Sequence, residues 1–288
     1  MTMDSIACTA DVTGSHRNRD AQAECPACQE GFTVDVHGHG HYADADGAKH
    51  RDGAPAAFWY RKDGTVAVDW FYRHGELHRD DGPAVTLYRG DGTVEVEWVY
   101  QHGELHCDDG PAATWYRRGG TVLMTNYYQH GEHHRDDGPA EVFYRKDGSV
   151  SHEGHFQYGE LHRDGAPASL GFRKDGTVFC EFYFQRGRHH REDGPAIIIE
   201  FEGGTRQREQ YCVRGAPHRT DGPAETAWRS DGTVREEVYR RHRMLHRTDG
   251  PAWILYRKDG SVKSELWYHE GEGLGGYEDW KRNHKLFG

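Results

Sequence analysis

The chain has 288 residues, a hydrophobic content of 35% and a formal net charge of −11. Residues 1–49 carry three Lys/Arg against eight Asp/Glu and the remainder 33 against 39, so neither part is basic and a nucleic-acid backbone is not the expected ligand. No apolar run approaches a membrane span, and no basic segment followed by an apolar one opens the chain as in a signal peptide, so a cytoplasmic location is expected.

Gly is abundant at 37 residues, and 16 Tyr, 11 Phe and 8 Trp argue against disorder and for a thin β structure joined by tight turns. Cys107, Cys180 and Cys212 are scattered, whereas Cys8, Cys25 and Cys28 cluster. Cys25-Pro26-Ala27-Cys28 has the C-x2-C spacing that aims two thiolates at one zinc ion, and Cys8 with His16 completes a Cys3His set. Such a site over residues 1–41 is closed and structural, because protein fills all four positions. The alternative is a reduced cysteine pair in an unstructured leader. Residues 42–49 read as a linker or a partial opening strand.

From His50 the chain is periodic. The stretch His78-Arg79-Asp80-Asp81-Gly82-Pro83-Ala84 returns at 106–112, 134–140, 190–196, 218–224 and 246–252, with near copies at 50–56 and 162–168. The eight histidines, His50, His78, His106, His134, His162, His190, His218 and His246, follow one another at intervals of 28 residues. A fixed period of this length marks a repeat architecture, in which each unit buries its apolar face against its neighbours.

Each unit predicts a β-hairpin. Val85-Thr86-Leu87-Tyr88 and Thr93-Val94-Glu95-Val96-Glu97-Trp98 are β-branched and aromatic runs bounded by glycines. A three-residue loop such as Lys62-Asp63-Gly64, a type I turn closed by a glycine bulge, sets Tyr60 opposite Val66. Strict alternation then puts the aromatic column of Tyr60, Tyr88 and Tyr116 on one face with Val94, Val96, Trp98 and Tyr100. Successive hairpins are expected to pair through the His-Arg-x-Asp-Gly-Pro turn. The expected fold is all-β: an elongated, twisted antiparallel sheet or solenoid of eight hairpin repeats over 50–273, roughly 75 Å long at ~4.8 Å per strand. Residues 274–288 read as a C-terminal cap or tail, where Tyr277 and Trp280 are one helical turn apart.

The recurring Gly-Glu-Leu-His-Arg-Asp-Asp-Gly-Pro-Ala, Tyr-Arg-x-Asp-Gly-Thr-Val and Trp/Phe-x-Tyr-x-x-Gly blocks resemble the variant MORN repeats, including those of YwqK-type proteins. The resemblance spans residues 50–273 and departs from standard MORN units in its longer period and its His-Arg-x-Asp-Gly-Pro block. It implies an elongated sheet of hairpins used as a binding scaffold, with antitoxin or immunity roles in YwqK-type members and links to membrane lipids and self-association among MORN proteins.

The His-Arg-Asp trio recurs in every unit, and eight equal copies point to a device that ties turns together rather than to one active site. A charged face is expected from the acidic column of Asp69, Glu97, Glu153, Glu181, Glu209, Glu237 and Glu265, opposite the aromatic spine and beside the arginines of Arg61, Arg89 and their equivalents. It reads either as a solvated face or as a strip for a partner. Two variable columns carry specificity in this reading: Trp59, Trp115 and Phe143 in one, Tyr127, Tyr183, Tyr211, Tyr239 and Trp267 in the other. Together with Glu97, Glu181 and Glu209 they form the candidate partner surface. The expected function is a non-catalytic scaffold for a partner protein, such as an antitoxin facing a basic toxin. The alternative is a self-assembling or membrane-associated structural protein, the membrane version being weakened by the lack of basic clusters.

Overall fold

The computed structural model of the protein describes residues 32–34 and 39–275. These residues are all-β, a succession of antiparallel hairpins with no helix. They belong to two compact units, Met1–Glu132 and His133–Gly288.

Each repeat contributes a four-residue strand and a five-residue strand, as in Val85–Tyr88 paired with Val94–Trp98. The turn is the predicted one. Arg89 N–H donates to the Thr93 carbonyl at 2.8 Å, Gly92 N–H donates to the Arg89 carbonyl at 3.0 Å, and Gly92 has φ +82°. Only glycine adopts that conformation without steric cost. Asp91 Oδ1 accepts from the Thr93 hydroxyl at 2.6 Å and from the Thr93 N–H at 3.0 Å. The same two bonds hold the equivalent carboxyls of Asp63, Asp147, Asp175, Asp231 and Asp259 below the usual carboxylate range.

Hairpins join edge to edge, Val68 facing Leu87, Asp69 facing Thr86 and Trp70 facing Val85. In the first unit the sheet runs in chain order from Phe32–Val34 through His39–Tyr42 to Val122–Asn126. In the second it runs from Glu141–Tyr144 to Val262–Leu266. The sheet therefore begins upstream of His50, inside a stretch expected to be a metal segment and a linker. His39–Tyr42 is a degenerate copy of the repeat: Tyr42 N–H donates to the Ala56 carbonyl at 2.7 Å, as Phe71 N–H does to Ala84. Cys8, His16, Cys25 and Cys28, and likewise Tyr277 and Trp280, lie outside the described residues.

Two features depart from the alternation rule. The first is a second β-element in each repeat, a ribbon of two plus two residues such as Tyr72–Arg73 with Glu76–Leu77. Its turn residues both have positive φ, 49° at His74 and 84° at Gly75, the signature of a type I′ turn. The second is a bulge. Tyr60 does face Val66, but Trp59 faces Val68, so Ala67 is the extra residue. The bulge recurs at Tyr88, where Leu87 faces Val96 and Thr86 faces Glu97. One extra residue reverses the alternation beyond it. Tyr60, Tyr88 and Tyr116 consequently share a face with the acidic column, not with Val96 and Trp98 as strict alternation requires.

The tightest packing lies at the alanine that opens each hairpin. Ala56, Ala84, Ala112, Ala140, Ala168, Ala196, Ala224 and Ala252 have no exposed surface. Ala84→Leu forces extra methylenes into this site and is expected to cost about 1–3 kcal/mol of stability in urea unfolding. Arg243, φ 74°, stands where the other ribbon turns have glycine. Arg243→Gly relieves the clash of a Cβ in the left-handed region and is expected to raise stability by about 1 kcal/mol in the same measurement, while Gly103→Arg lowers it.

Candidate functional site

The recurring histidine is a bridge between repeats. His78 Nδ1 accepts the backbone N–H of His102 at 3.1 Å, and each of the seven equivalent bonds, from His50 to His246, is 3.1–3.3 Å. An accepting Nδ1 places the imidazole proton on Nε2, which donates to the aspartate two residues on: His78 to Asp80 at 2.9 Å, His106 to Asp108 at 3.0 Å, His134 to Asp136 at 3.1 Å. A second bond runs alongside, Gly103 N–H to the Leu77 carbonyl at 2.9 Å. The trio thus ties turns together, as its repetition predicts.

The arginine of the same motif covers the second variable column. Its guanidinium lies 3.9–4.0 Å from the ring centroids of Phe71, Tyr183, Tyr211 and Tyr239 for Arg79, Arg191, Arg219 and Arg247 respectively. Such cation–π stacking leaves Tyr183, Tyr211 and Tyr239 half-buried rather than presented to solvent. Tyr127 is also half-buried, and Trp267 is only 7% exposed, its Nε1 donating to Glu265 at 3.0 Å.

The acidic column is bonded to that face as well. Tyr88 donates to Asp69 at 2.9 Å, Tyr116 to Glu97 at 2.6 Å, Tyr256 to Glu237 at 2.9 Å and Tyr183 to Glu181 at 3.0 Å, while Arg206 meets Glu209 at 3.1 Å. Burial, and then the bonded carboxylate, push the Tyr88, Tyr116 and Tyr256 phenols up to about 12. The second arginine column joins hairpins: Arg61 and Arg89 donate to the backbone carbonyls of Tyr88 and Tyr116 in the next repeat. Glu97, Glu181 and Glu209 are therefore tied into the frame.

The opposite face of the first unit is different. His39, Trp59, Val68, Leu87, Val96, Trp115 and Met124 face one another in turn across seven strands. Beside them runs a second row in which Trp70 and Trp98 alternate with the smaller Ala57, Val85 and Ala113. Trp59 is 47% exposed, and Leu87, Trp115 and Met124 are half-buried. The structure thus brings the predicted Trp59 and Trp115 together with Trp70 and Trp98, which alternation placed on the other side. Phe143 holds the same position in the second unit, where His152, Arg208 and Glu236 interrupt a row of Cys180, Ile199, Ala227 and Leu255 and no tryptophan stands in it.

Two His/carboxylate groups come close, Asp44 with His50 and His74, and His246 with His269 and Glu270. In the first, the imidazoles stack at 4.6 Å with 21° between planes, so their in-plane lone pairs run side by side instead of converging on an ion. In the second, His246 Nδ1 is occupied by the Glu270 N–H at 3.1 Å.

Loss of the Nδ1 acceptor leaves a backbone donor unpaired. His78→Ala is expected to cost about 1–3 kcal/mol in urea unfolding. Acid acts in the same direction. Burial, and then nearby Arg163, lower His155 to about 4, and burial also lowers His133, His189, His218 and His246. Their folded pKa lies below the unfolded value near 6.5, so the unfolded chain takes up protons first. Stability is full above about pH 6.5 and declines as the pH falls toward about 4. A melting series over this window is expected to show that fall, made shallower by His155→Phe.

No protein-family model matches the chain, and no curated protein matches it. Among solved structures it is similar to alternansucrase in complex with isomaltononaose, at 12% identity and a TM-score of 0.17, over 84% of this chain and 18% of that one. It is similar to choline binding protein F from Streptococcus pneumoniae at 12% identity and a TM-score of 0.20, over 86% of this chain and 84% of that one. A Photorhabdus luminescens Tc holotoxin pore aligns at 11% identity and a TM-score of 0.13, over 91% of this chain and 17% of that one. The chain is a repetitive all-β protein of β-hairpin repeats.

Proposed function

We propose that the chain is a non-catalytic repeat scaffold that binds a partner protein through the tryptophan-rich face of its first unit. The observation that carries this reading is the cross-strand row of Trp59, Val68, Leu87, Val96, Trp115 and Met124, flanked by Trp70 and Trp98. Large aromatic side chains held on a rigid sheet are the usual anchors of protein recognition. The recurring histidine makes the same bond in all eight repeats, and most of the acidic column is bonded to Tyr or Arg side chains, which favours a frame over a single catalytic constellation. The variant MORN-repeat resemblance points the same way, and an antitoxin or immunity role is its most specific form. A net charge of −11 suits a basic partner, such as a toxin, by steering the encounter.

Affinity capture from the host lysate with wild type and with a Trp59→Arg/Trp115→Arg variant tests the proposal. One basic protein is expected in stoichiometric amount with the wild type, weakened about thirtyfold or more by the variant. Circular dichroism confirms that the variant is folded. Equal capture by both proteins, or no stoichiometric partner, overturns the reading.

A further inference from the structure

We infer a second interaction surface, distinct from the tryptophan face: three short ribbons of the second unit, carrying Arg186, Arg188, Arg214, Arg241 and Arg243, form a basic strip that takes Glu76 and Glu104 on the ribbons of a second copy of this chain. This goes beyond partner binding and stands independently of it.

The strip lies on three successive ribbons, Phe184–Gln185 with Arg188–His189, Cys212–Val213 with Ala216–Pro217, and Arg240–Arg241 with Met244–Leu245. Residues 185–189, 213–217 and 241–245 contain five arginines and no Asp or Glu. In a chain of net charge −11 such a stretch runs against composition. Arg186, Arg188, Arg214, Arg241 and Arg243 are all exposed, and among the described residues none forms an ion pair. Neighbouring Arg240, by contrast, meets Glu225 at 2.9 Å. Arg186, Arg188 and Arg214 line one open groove, whose far wall carries Glu160 and Asp164 with Gln157 and Tyr158. Exposed Val213 and Met244 add apolar surface between the guanidinium groups.

The complementary strip is built by the same module. In the first unit the ribbons Tyr72–Arg73 with Glu76–Leu77 and Tyr100–Gln101 with Glu104–Leu105 present Glu76 and Glu104 at the position that Arg188 holds in the second. Both carboxylates are exposed. Glu76 and Glu104 are one 28-residue period apart, as are Arg186 and Arg214. One period spans two strand spacings, roughly 10 Å, so acidic rungs on one copy meet basic rungs on another at equal pitch. A nucleic-acid strand carries its charges at a shorter spacing, about 3.4 Å per strand of duplex. Single exposed ion pairs are weak, but several in register act together and are screened by salt. The joint is heterologous, since different surfaces of the two copies meet.

Sedimentation of the full chain over a concentration series, at low and high salt, tests this. Two charge reversals are compared, Arg186→Glu/Arg214→Glu and Glu76→Arg/Glu104→Arg. Both place residues that other repeats already carry: Glu270 has the φ of Arg186, and Arg188 occupies the Glu76 position. Wild type is expected to associate at low salt and revert to monomer at high salt. Each reversed variant is expected to lose at least tenfold in association, and an equimolar mixture of the two to recover it. A wild type that stays monomeric at low salt, or variants that associate like wild type, overturns the inference. Binding of a labelled single-stranded oligonucleotide by wild type, lost in the arginine variant without self-association, overturns it in favour of a nucleic acid. Trp59 and Trp115 are untouched in these variants, so this outcome and that of partner capture are read separately.

Discussion

One hydrogen bond sets the pitch of this protein: the backbone N–H of a ribbon turn donating to Nδ1 of the histidine 24 residues earlier. It connects a main-chain donor in one repeat to a side-chain acceptor in the one before, and it recurs from His50 to His246. With Nδ1 accepting, Nε2 is left to donate, and in His78, His106 and His134 it reaches the aspartate of its own turn. A single residue type therefore sets both the turn and the distance to the next repeat. An insertion within a repeat would carry the donor away from its acceptor, which gives a physical reason for a period that never varies.

The rest of the frame follows the same economy. The motif arginine lies on the aromatic ring at the end of the preceding strand, and the hairpin arginine reaches a carbonyl in the next repeat. Among the described residues no helix packs on the sheet, which draws cohesion from polar ladders between repeats as well as from burial. The ladders are local and repeated, so a defect affects its neighbours most. Phe201 is such a place: it stands where most repeats have the hairpin arginine, with Glu200 in place of the aromatic residue and bonded to Arg206 at 3.3 Å.

The positions that the ladders do not consume are left to vary. On the sheet these are the residues of the tryptophan face, a row that is apolar in the first unit and interrupted by His152, Arg208 and Glu236 in the second. On the ribbons they are the turn tips and their flanks, where Glu76, Glu104, Glu132 and Glu160 are followed by Arg188 at the same position. A repeat scaffold can vary these sites freely because the backbone that presents them is held by other residues.

The sequence by itself determined the period, the hairpin, the glycine-closed turn that sets Tyr60 against Val66, and the structural role of the histidine trio. These are local matters: turn chemistry and β-propensity act over a few residues, and repetition exposes them. Tertiary structure alone decided which face each column occupies. The bulge after Trp59 adds one residue and reverses the alternation, moving the Tyr88 column onto the acidic side and Trp59 beside Trp70. A bulge arises from the pairing and twist of neighbouring strands, and no residue type announces it. The ribbon was hidden for a related reason. Its strands are two residues long, too short for periodicity to register, and they are held by bonds to residues more than twenty positions away. The arginine caps and the two charged strips likewise depend on which repeats lie side by side, information that only the folded chain carries.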